Sequence, residues 1–400
     1  MATIRQDVVP APLPLSEPER VRYSRHLLLP EIGPAGQSRL KAARVLVIGA
    51  GGLGCPAALY LAAGGIGTIG LLDFDVLEES NLQRQVLFTT ADIGAPKAER
   101  ARERLLALNP GLQIVAHQVE LTAANVQQIF AGYDLIVDGS DRIGTRYLVN
   151  DACVIYGKAL VSAAIHRFEG QAMTYAPGRG PCYRCLFPDL SGATLPNCAQ
   201  AGVLGVLPGV LGAIQATEVV KLLLDIGEPL LGRVLVYDAL TLRFDEFRIS
   251  RRADCAVCGE HPSILTPSDP PGFCSIEEQR RVTRVSATEL ARRLQAQARG
   301  DNAADGQALS LVDVREPEEF AVGHLPGSRN IPLGVIERQG LPGQPGLAMP
   351  REAPTVFICR SGARSLQACV LARRAGMAQP LQLEGGLLAW RETVEPGFAL

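Results

Sequence analysis

The stretch ARVLVIGAGGLGCPAALYLAAGGIGTIGLLDFD, residues 43–75, constrains the fold more than any other part of the chain. An apolar run leads into a glycine-rich turn, then an alanine- and leucine-rich segment, then a second apolar run ending on Asp73. Strand, turn, helix and strand make a βαβ unit, whose two parallel strands belong in a sheet covered on both faces. Gly49, Gly51 and Gly54 spell G-x-G-x-x-G, and Gly52 adds another position without a side chain. Glycine suits such a turn because the backbone must approach a phosphate and offer its N–H groups at a helix N-terminus. By itself the turn also fits a nicotinamide dehydrogenase with Asp73 on the ribose, or a tight turn that holds no ligand.

The rest of the chain extends this α/β pattern. A helical segment is expected over Arg20–Leu40, a helix over 98–109 and a strand over 112–121. DLIVDGSD reads as a buried strand with acids at its C-terminal end, where open α/β sheets place their ligands. LVSAAIHRFEGQAMTYAP and RVLVYDALTLRFDEFRI read as later strands. Residues 1–19 form a proline-rich arm, 20–258 a first domain, 259–282 a linker and 283–400 a second, smaller α/β domain.

At 400 residues with 39 Lys+Arg against 41 Asp+Glu, the net charge of -2 argues against a sequence-blind nucleic-acid binder. Two uncharged stretches, Arg44 to Asp73 and Asp189 to Glu218, have the length of membrane spans. Their glycines and prolines favour buried core instead, so no membrane is expected. The N-terminus lacks an apolar stretch behind a basic region, which points to the cytoplasm. Ten cysteines in a reducing compartment point to metal ligation or thiol chemistry.

The residues after Asp73 argue against nicotinamide. DFDVLEESNLQRQ brings Arg84 towards the same strand end, GAPK places Lys97 at a helix start, and Asp138 and Asp141 leave the next strand. Two cations and a carboxylate beside a glycine turn suit a triphosphate with Mg2+, because charge develops on the departing pyrophosphate. GAGGLG, DFDVLEESNLQRQ, the G-x-P-K at 94–97 and DGSD together resemble the adenylation domain of the MoeB/ThiF family, relatives of ubiquitin-activating enzymes. The resemblance spans roughly residues 20–260 and implies a Rossmann-like domain with a mainly parallel sheet. It further implies that Gly52 sits at the phosphate turn and Asp73 holds the ribose. Ser80, Asn81, Leu82, Gln83 and Arg84 would line the nucleotide, Lys97 would neutralise phosphate, and Asp141 would coordinate Mg2+. Arg25, in RYSRH, matches an arginine that the family supplies from the neighbouring subunit, which implies a homodimer. Arg142 stands where the family has asparagine and sets an extra cation beside the nucleotide.

Cys182-x-x-Cys185 and Cys255-x-x-Cys258 are matched pairs in turn-rich settings. Four thiolates suit a closed tetrahedral zinc site; two unrelated reduced pairs or a redox dithiol are the alternatives. The family resemblance extends to all four positions and favours Zn2+. Cys198, in TLPNCAQAGVLG, reads either as a small buried residue or, by resemblance, as a thiol that attacks the activated carrier. Cys55, Cys153, Cys274 and Cys369 read as structural.

Cys359 is different. TVFICRSGARS sets it between an apolar strand and a helix, where successive N–H groups and the helix dipole would hold a thiolate or persulfide. Arg360 and Arg364 add positive charge, while Asp313 and Arg315 read as braces of the fold. With LVDVREPEEFAVGHLPGSRNIP and LEGGLLAW, this part resembles a rhodanese domain, whose cysteine carries a sulfane sulfur. The combined resemblance implies ATP-dependent adenylylation of a small ubiquitin-like sulfur carrier ending in Gly-Gly, of the MoaD, ThiS or CysO kind. Sulfur would then pass from Cys359, supplied by thiosulfate or a cysteine desulfurase, to give the carrier thiocarboxylate. Two rivals keep the fold: a carrier-binding scaffold without ATP turnover, and an adenylyltransferase whose rhodanese domain is vestigial.

Overall fold

Val45 to Ile48 are buried in sequence, so the strand they form is covered on both faces, as a central parallel strand must be. The structure is a computed structural model that describes residues 12–188, 202–269, 276–299, 309–340 and 353–400. The chain divides into two compact units, Met1–Pro270 and Pro271–Leu400.

In the first unit β1 (Arg44–Ile48) pairs in parallel with β2 (Thr68–Leu72), and β3 (Gln113–His117) extends the sheet beyond β2. On the other side of β1 lies β4 (Leu135–Asp138), followed by β5 (Ala159–His166), both parallel to it. Then β6 (Glu169–Tyr175), β7 (Arg233–Asp238) and β8 (Arg243–Arg248) turn antiparallel, giving an eight-stranded sheet of order β3-β2-β1-β4-β5-β6-β7-β8. The chain reverses direction across the sheet between β1 and β4, which opens a crevice at their C-terminal ends. Gly49, leaving β1, and Gly139, leaving β4, meet there: a Cβ on Gly49 would lie 3.0 Å from the Gly139 carbonyl oxygen.

The helix Gly54–Gly64 starts inside this crossing. A Cβ on Gly54 would fall 1.7 Å from the Gly49 oxygen, so no side chain fits. The apolar helix Leu207–Leu224 packs against it, and 61% of that helix is buried within the unit. Its two interior polar residues are built into the core. Gln215 Nε2 donates to the carbonyl oxygens of Asp138 (2.8 Å) and Val161, and Glu218 accepts from Thr174 Oγ1 and from the Leu230 N–H. These bonds make it a core helix of this unit.

In the second unit β9 (Thr283–Val285), β10 (Ser310–Asp313), β11 (Ser328–Asn330), β12 (Thr355–Ile358) and β13 (Pro380–Leu383) form an all-parallel sheet of order β11-β10-β12-β13-β9. The buried Arg315–Asp313 ion pair, closed at 2.7 Å, ties the end of β10 to the Gly323 carbonyl. Asp313 and Arg315 therefore hold each other and the loop after β10.

Several sequence expectations are refined. The helical segment from Arg20 breaks into Glu17–Arg22, Ser24–Leu27 and Gly33–Ala42, because Pro30 and a left-handed Gly33 interrupt it. The strand expected over 112–121 ends at His117, where its partner β2 ends. Residues 159–175 and 233–248 are antiparallel hairpins, turned at Arg167 and Leu242 with positive φ. The expected linker carries structure at both ends. Asp269 accepts from the Ala123 N–H in the first unit, and the helix Ile276–Arg280 belongs to the second, with Glu278 paired to Arg374. Cys198 and Cys274 lie outside the described residues.

Gly54→Ala is expected to destabilise the protein by about 3 kcal/mol, since the new methyl meets backbone that cannot yield. Gly209→Ala, on the helix Leu207–Leu224 with open space at its Cβ, is expected to stabilise by about 0.5–1 kcal/mol. Urea unfolding of both variants beside the parent protein checks the pair.

Candidate active site

Asp73 holds the glycine turn in place. Its Oδ2 accepts from the Ala50 N–H at 2.8 Å and its Oδ1 from the Asp75 N–H at 2.8 Å. Burial pushes its carboxyl up to about 6, against the nearby Lys97 charge, which draws it down. The segments after Asp73 and before Lys97 are zipped together: Leu77 N–H donates to Ala95, Gly94 N–H to Leu77, and Lys97 N–H to the Asp75 carbonyl. That pairing seats the buried Lys97 ammonium 3.2 Å from Asp75, though the two are far apart in sequence.

The polar run beyond Asp75 folds into a short 3-10 turn, Glu79–Asn81, and Asn81 is buried with its Oδ1 accepting from Glu78 N–H. Arg84 lies beside the glycine turn: a Cβ on Gly52 would come within 3.6 Å of its Cδ, and its Nη1 donates to the Ser80 carbonyl at 3.0 Å. Gln83 backs onto Gly205, where a Cβ would collide with it. Gln85 is buried beside Gly51, and among the described residues its Oε1 has no hydrogen-bond partner.

The DGSD segment divides its two acids by role. Asp138 is fully buried, with Oδ1 accepting from Ser140 N–H (3.0 Å) and Oγ (2.6 Å), Oδ2 from Ser162 Oγ, and Arg146 Nε at 3.7 Å. It anchors the loop, while Asp141 is exposed beyond it. Arg142 donates to Glu120 at 2.8 Å and lies over the Phe74 ring at 4.8 Å, so its charge is already matched within the protein. Gly49, Gly51, Gly52, Gly54, Asp73, Arg84 and Lys97 thus converge on the mouth of the crevice. Arg25 is exposed on the helix Ser24–Leu27, and among the described residues no hydrogen bond or ion pair ties it to that mouth. Leu82 is half-buried in the core.

Cys182, Cys185, Cys255 and Cys258 come together from two loops, with all four sulfurs within 4.8 Å of one another. Cys182 and Cys255 are 3.7 Å apart and Cys185 and Cys258 3.4 Å. Zn–S bonds of about 2.3 Å in a tetrahedron set sulfurs about 3.8 Å apart, so the cluster fits one such ion. The Arg252 N–H adds a hydrogen bond to Cys185. Without an ion, burial and the neighbouring sulfurs push the Cys182 thiol up.

In the second unit Cys359 is fully buried at the end of β12. Its sulfur accepts from the N–H groups of Gly362 (3.1 Å) and Ser365 (3.4 Å), with Ser365 Oγ also at 3.4 Å. Gly362, at φ 95°, turns its N–H inward and its carbonyl outward, where Gln382 Nε2 (2.9 Å) and Ser365 Oγ (3.0 Å) hold it. The LEGGLLAW segment lies under the loop: Leu387 N–H donates to Cys359 and Leu388 N–H to Arg360. Arg364 points to Glu319, which it grips through both nitrogens at 2.6 and 2.7 Å, while Arg360 is exposed. Cys55, Cys153 and Cys369 are buried, and burial raises each thiol.

Sequence reasoning did not single out Gln85, Arg146, Gln215, Glu319, Ser365 or Gln382. Gln215 carried a signal, as a polar residue in an otherwise apolar helix, and Ser365 did too, six residues after Cys359.

A glycine-turn crevice beside Asp73 and Lys97 and a backbone-lined cysteine loop in a second α/β unit define a two-part group-transfer protein. Residues 23–257 match the ThiF family and residues 288–393 the rhodanese-like domain. The chain belongs to the ThiF family and carries a C-terminal rhodanese-like domain. It is 41% identical, over the whole of both chains, to the probable adenylyltransferase/sulfurtransferase MoeZ of Mycobacterium tuberculosis. It is 40% identical to the adenylyltransferase and sulfurtransferase MOCS3 of Aedes aegypti, covering 96% of this chain and 90% of that one. Among solved structures, Escherichia coli MccB with ATP superimposes with a TM-score of 0.53 at 26% identity, covering 59% of this chain and 74% of that one.

Asp73 is expected to titrate near pH 6 in the nucleotide-free protein. Lys97→Met is expected to move that titration upward, because it removes the cation that favours the carboxylate. The side-chain carboxyl 13C shift of Asp73, followed from pH 4 to 8 in both proteins, checks the direction.

Proposed function

We propose that this chain adenylylates the C-terminal glycine of a small ubiquitin-like sulfur-carrier protein and then converts it to a thiocarboxylate with sulfur from Cys359. The observation that carries the reading is the pairing, in one ThiF-family chain, of the glycine-turn crevice with a cysteine held by two backbone N–H groups. Full-length relatives named for both activities support it.

The carrier's terminal carboxylate attacks the α-phosphorus of ATP, the bond to the β-phosphate breaks, and pyrophosphate leaves with the electron pair. Lys97 and Arg84 oppose the charge that grows on the phosphates, and the N-terminus of the helix Gly54–Gly64 adds its dipole. Asp73 accepts from a ribose hydroxyl, and Ser80, Asn81, Leu82 and Gln83 line the nucleotide. Asp141, exposed beyond β4, would hold Mg2+, which would supply positive charge to the phosphate oxygens. Because a protonated Asp73 loses an acceptor, ATP affinity falls as the pH drops below about 6.

On the second unit a donor such as thiosulfate, or the persulfide of a cysteine desulfurase, gives its sulfane sulfur to the Cys359 thiolate. With thiosulfate the S–S bond breaks and sulfite leaves with the pair. The terminal persulfide sulfur attacks the acyl adenylate, and AMP departs. A second thiol attacks the Cys359 sulfur, releasing the thiocarboxylate and leaving a disulfide for an external thiol to reduce. Cys198 is the candidate for a thiol that first takes the acyl group from the adenylate as a thioester, AMP leaving, before the persulfide displaces it.

Zn2+ on Cys182, Cys185, Cys255 and Cys258 ties two distant segments of the first unit. The working unit is a homodimer in which Arg25 reaches the neighbouring subunit's nucleotide. The exposed apolar side chains of Val21, Leu28 and Leu29 around Arg25 favour burial against a second copy. Chemistry that runs through thiols and a persulfide favours a reducing compartment, the cytoplasm.

Incubating a Gly-Gly-ended carrier with this protein, Mg-ATP and saturating thiosulfate is expected to raise the carrier's mass by the replacement of one oxygen with sulfur. Cys359→Ala is expected to accumulate AMP without that gain. Intact-mass spectrometry decides: a carrier bound without AMP formation favours the scaffold, and a mass gain in Cys359→Ala makes the rhodanese-like unit dispensable. Cys182→Ser is expected to lose bound zinc and to cost about 3 kcal/mol or more of stability, read by metal analysis and urea unfolding.

A further inference from the structure

We propose that Glu319 determines which sulfur donors the Cys359 loop accepts, by clamping the Arg364 guanidinium and withdrawing that cation from an incoming anion. The inference rests on the reading of this unit as a sulfurtransferase.

The loop CRSGARS brings two arginines to the cysteine, which on sequence alone makes a cationic cup for a small dianion. The structure divides them. Arg360 is exposed and bears its charge at the rim. Arg364 is only partly exposed, and both of its terminal nitrogens are engaged by Glu319 from the helix Pro317–Val322, at 2.6 and 2.7 Å. A paired, parallel set of N–H···O bonds of this kind is the strongest arrangement open to the two groups, and it saturates the face that would bind an oxyanion. Glu316 also lies within electrostatic reach of Arg364, and Glu318 is exposed on the same turn. Arg315 brings no net charge, because Asp313 neutralises it in the core. Arg364, then, faces Glu319 and Glu316, while Arg360 keeps its charge exposed.

Thiosulfate carries two negative charges to this rim, whereas the transferable sulfur of a cysteine persulfide carries at most one. The clamp therefore penalises thiosulfate more than a persulfide. Glu319 acts through Arg364, so it is a positioning and specificity residue and takes no part in bond making. The carboxylate has a second duty that the test must respect: it accepts from the Glu316 N–H at 3.1 Å, closing the first turn of its helix. Glutamine serves as that acceptor equally well.

The test uses the full-length protein and its variants Glu319→Gln, Arg364→Gln and the double substitution, in two assays. In thiosulfate-to-cyanide sulfur transfer, Glu319→Gln is expected to lower KM for thiosulfate about tenfold, with the change in KM and not in kcat. The double variant is expected to lose that gain. In the second assay Cys359 is alkylated with iodoacetate, an anion, and with iodoacetamide, its neutral counterpart, and the rates are read at that cysteine by peptide mass mapping. The ratio of anionic to neutral rate is expected to rise several-fold in Glu319→Gln and to return in the double variant. A structural role alone would move both alkylation rates together and leave their ratio fixed. An unchanged ratio with an unchanged KM overturns the proposal, as does a gain that survives the loss of Arg364. If the ratio shifts but no variant loads sulfur from thiosulfate, the sulfurtransferase reading fails and the donor assignment falls with it.

Discussion

The contact between the Gly49 carbonyl and the Gly54 backbone is the constraint on which the crevice of the first unit depends, and much of that unit is arranged to preserve it. A helix start pressed this closely on a strand end leaves no room for a side chain at Gly54, and the Gly139 carbonyl crowds one at Gly49. The crossing is held from several directions. Asp73 accepts from Ala50 on one side, the Gly139 N–H donates to Ile48 on another, and Gln215 reaches up from the apolar helix to the Asp138 carbonyl. These bonds are buried, where an unmade one costs more than a made one contributes. They explain why a helix apolar enough to cross a membrane carries a glutamine at that one turn.

Both units set their working loop at the C-terminal end of a parallel strand, and in both the neighbouring strand ends on a fully buried aspartate. Asp138 gathers Ser140, Ser162 and Arg146, and Asp313 gathers Arg315. Neither carboxylate is placed to react; each fixes the loop that leaves its own strand, Asp138 after β4 and Asp313 after β10. Three of the cations near the working loops are likewise paired in advance: Lys97 with Asp75, Arg142 with Glu120, Arg364 with Glu319. An isolated cation in a half-buried crevice would be strongly penalised, and a carboxylate partner relieves that penalty until a ligand arrives. The cost falls on affinity, because an incoming anion must share or displace the partner.

Legibility in the sequence followed the range of the interactions. The βαβ unit, the glycine turn and the cysteine pairs are local patterns with fixed spacing, and they could be read directly. The even apolar runs of β1, β4 and β12 likewise report strands buried on both faces. What could not be read were positions set by tertiary pairing. Nothing around Gln382 marks it as the residue that holds the Gly362 carbonyl, since the bond crosses from β13 to the loop after β12. Arg364 was legible as a charge, but the residue that occupies it lies 45 positions earlier. Arg142 was legible as a departure, and only the fold shows it turned to Glu120 and Phe74. Strand ends show the same limit, because β3 stops where β2 stops and not where its own apolar pattern fades.

Joining the two units in one chain has a physical rationale within the proposed reaction. An acyl adenylate is activated towards any nucleophile, and water is the most abundant one. A persulfide arriving from free solution would compete poorly at micromolar concentration. A tether turns that encounter into an intramolecular one, with an effective concentration that can reach the order of millimolar. The same logic bears on Cys359 itself. Its sulfur is buried and held by two backbone N–H groups, an arrangement that protects a stored persulfide from adventitious thiols. Such protection is useful only if the acceptor is brought to the loop deliberately. Storage in a shielded cup and delivery along a tether therefore answer the same problem, the survival of two reactive species until they meet each other.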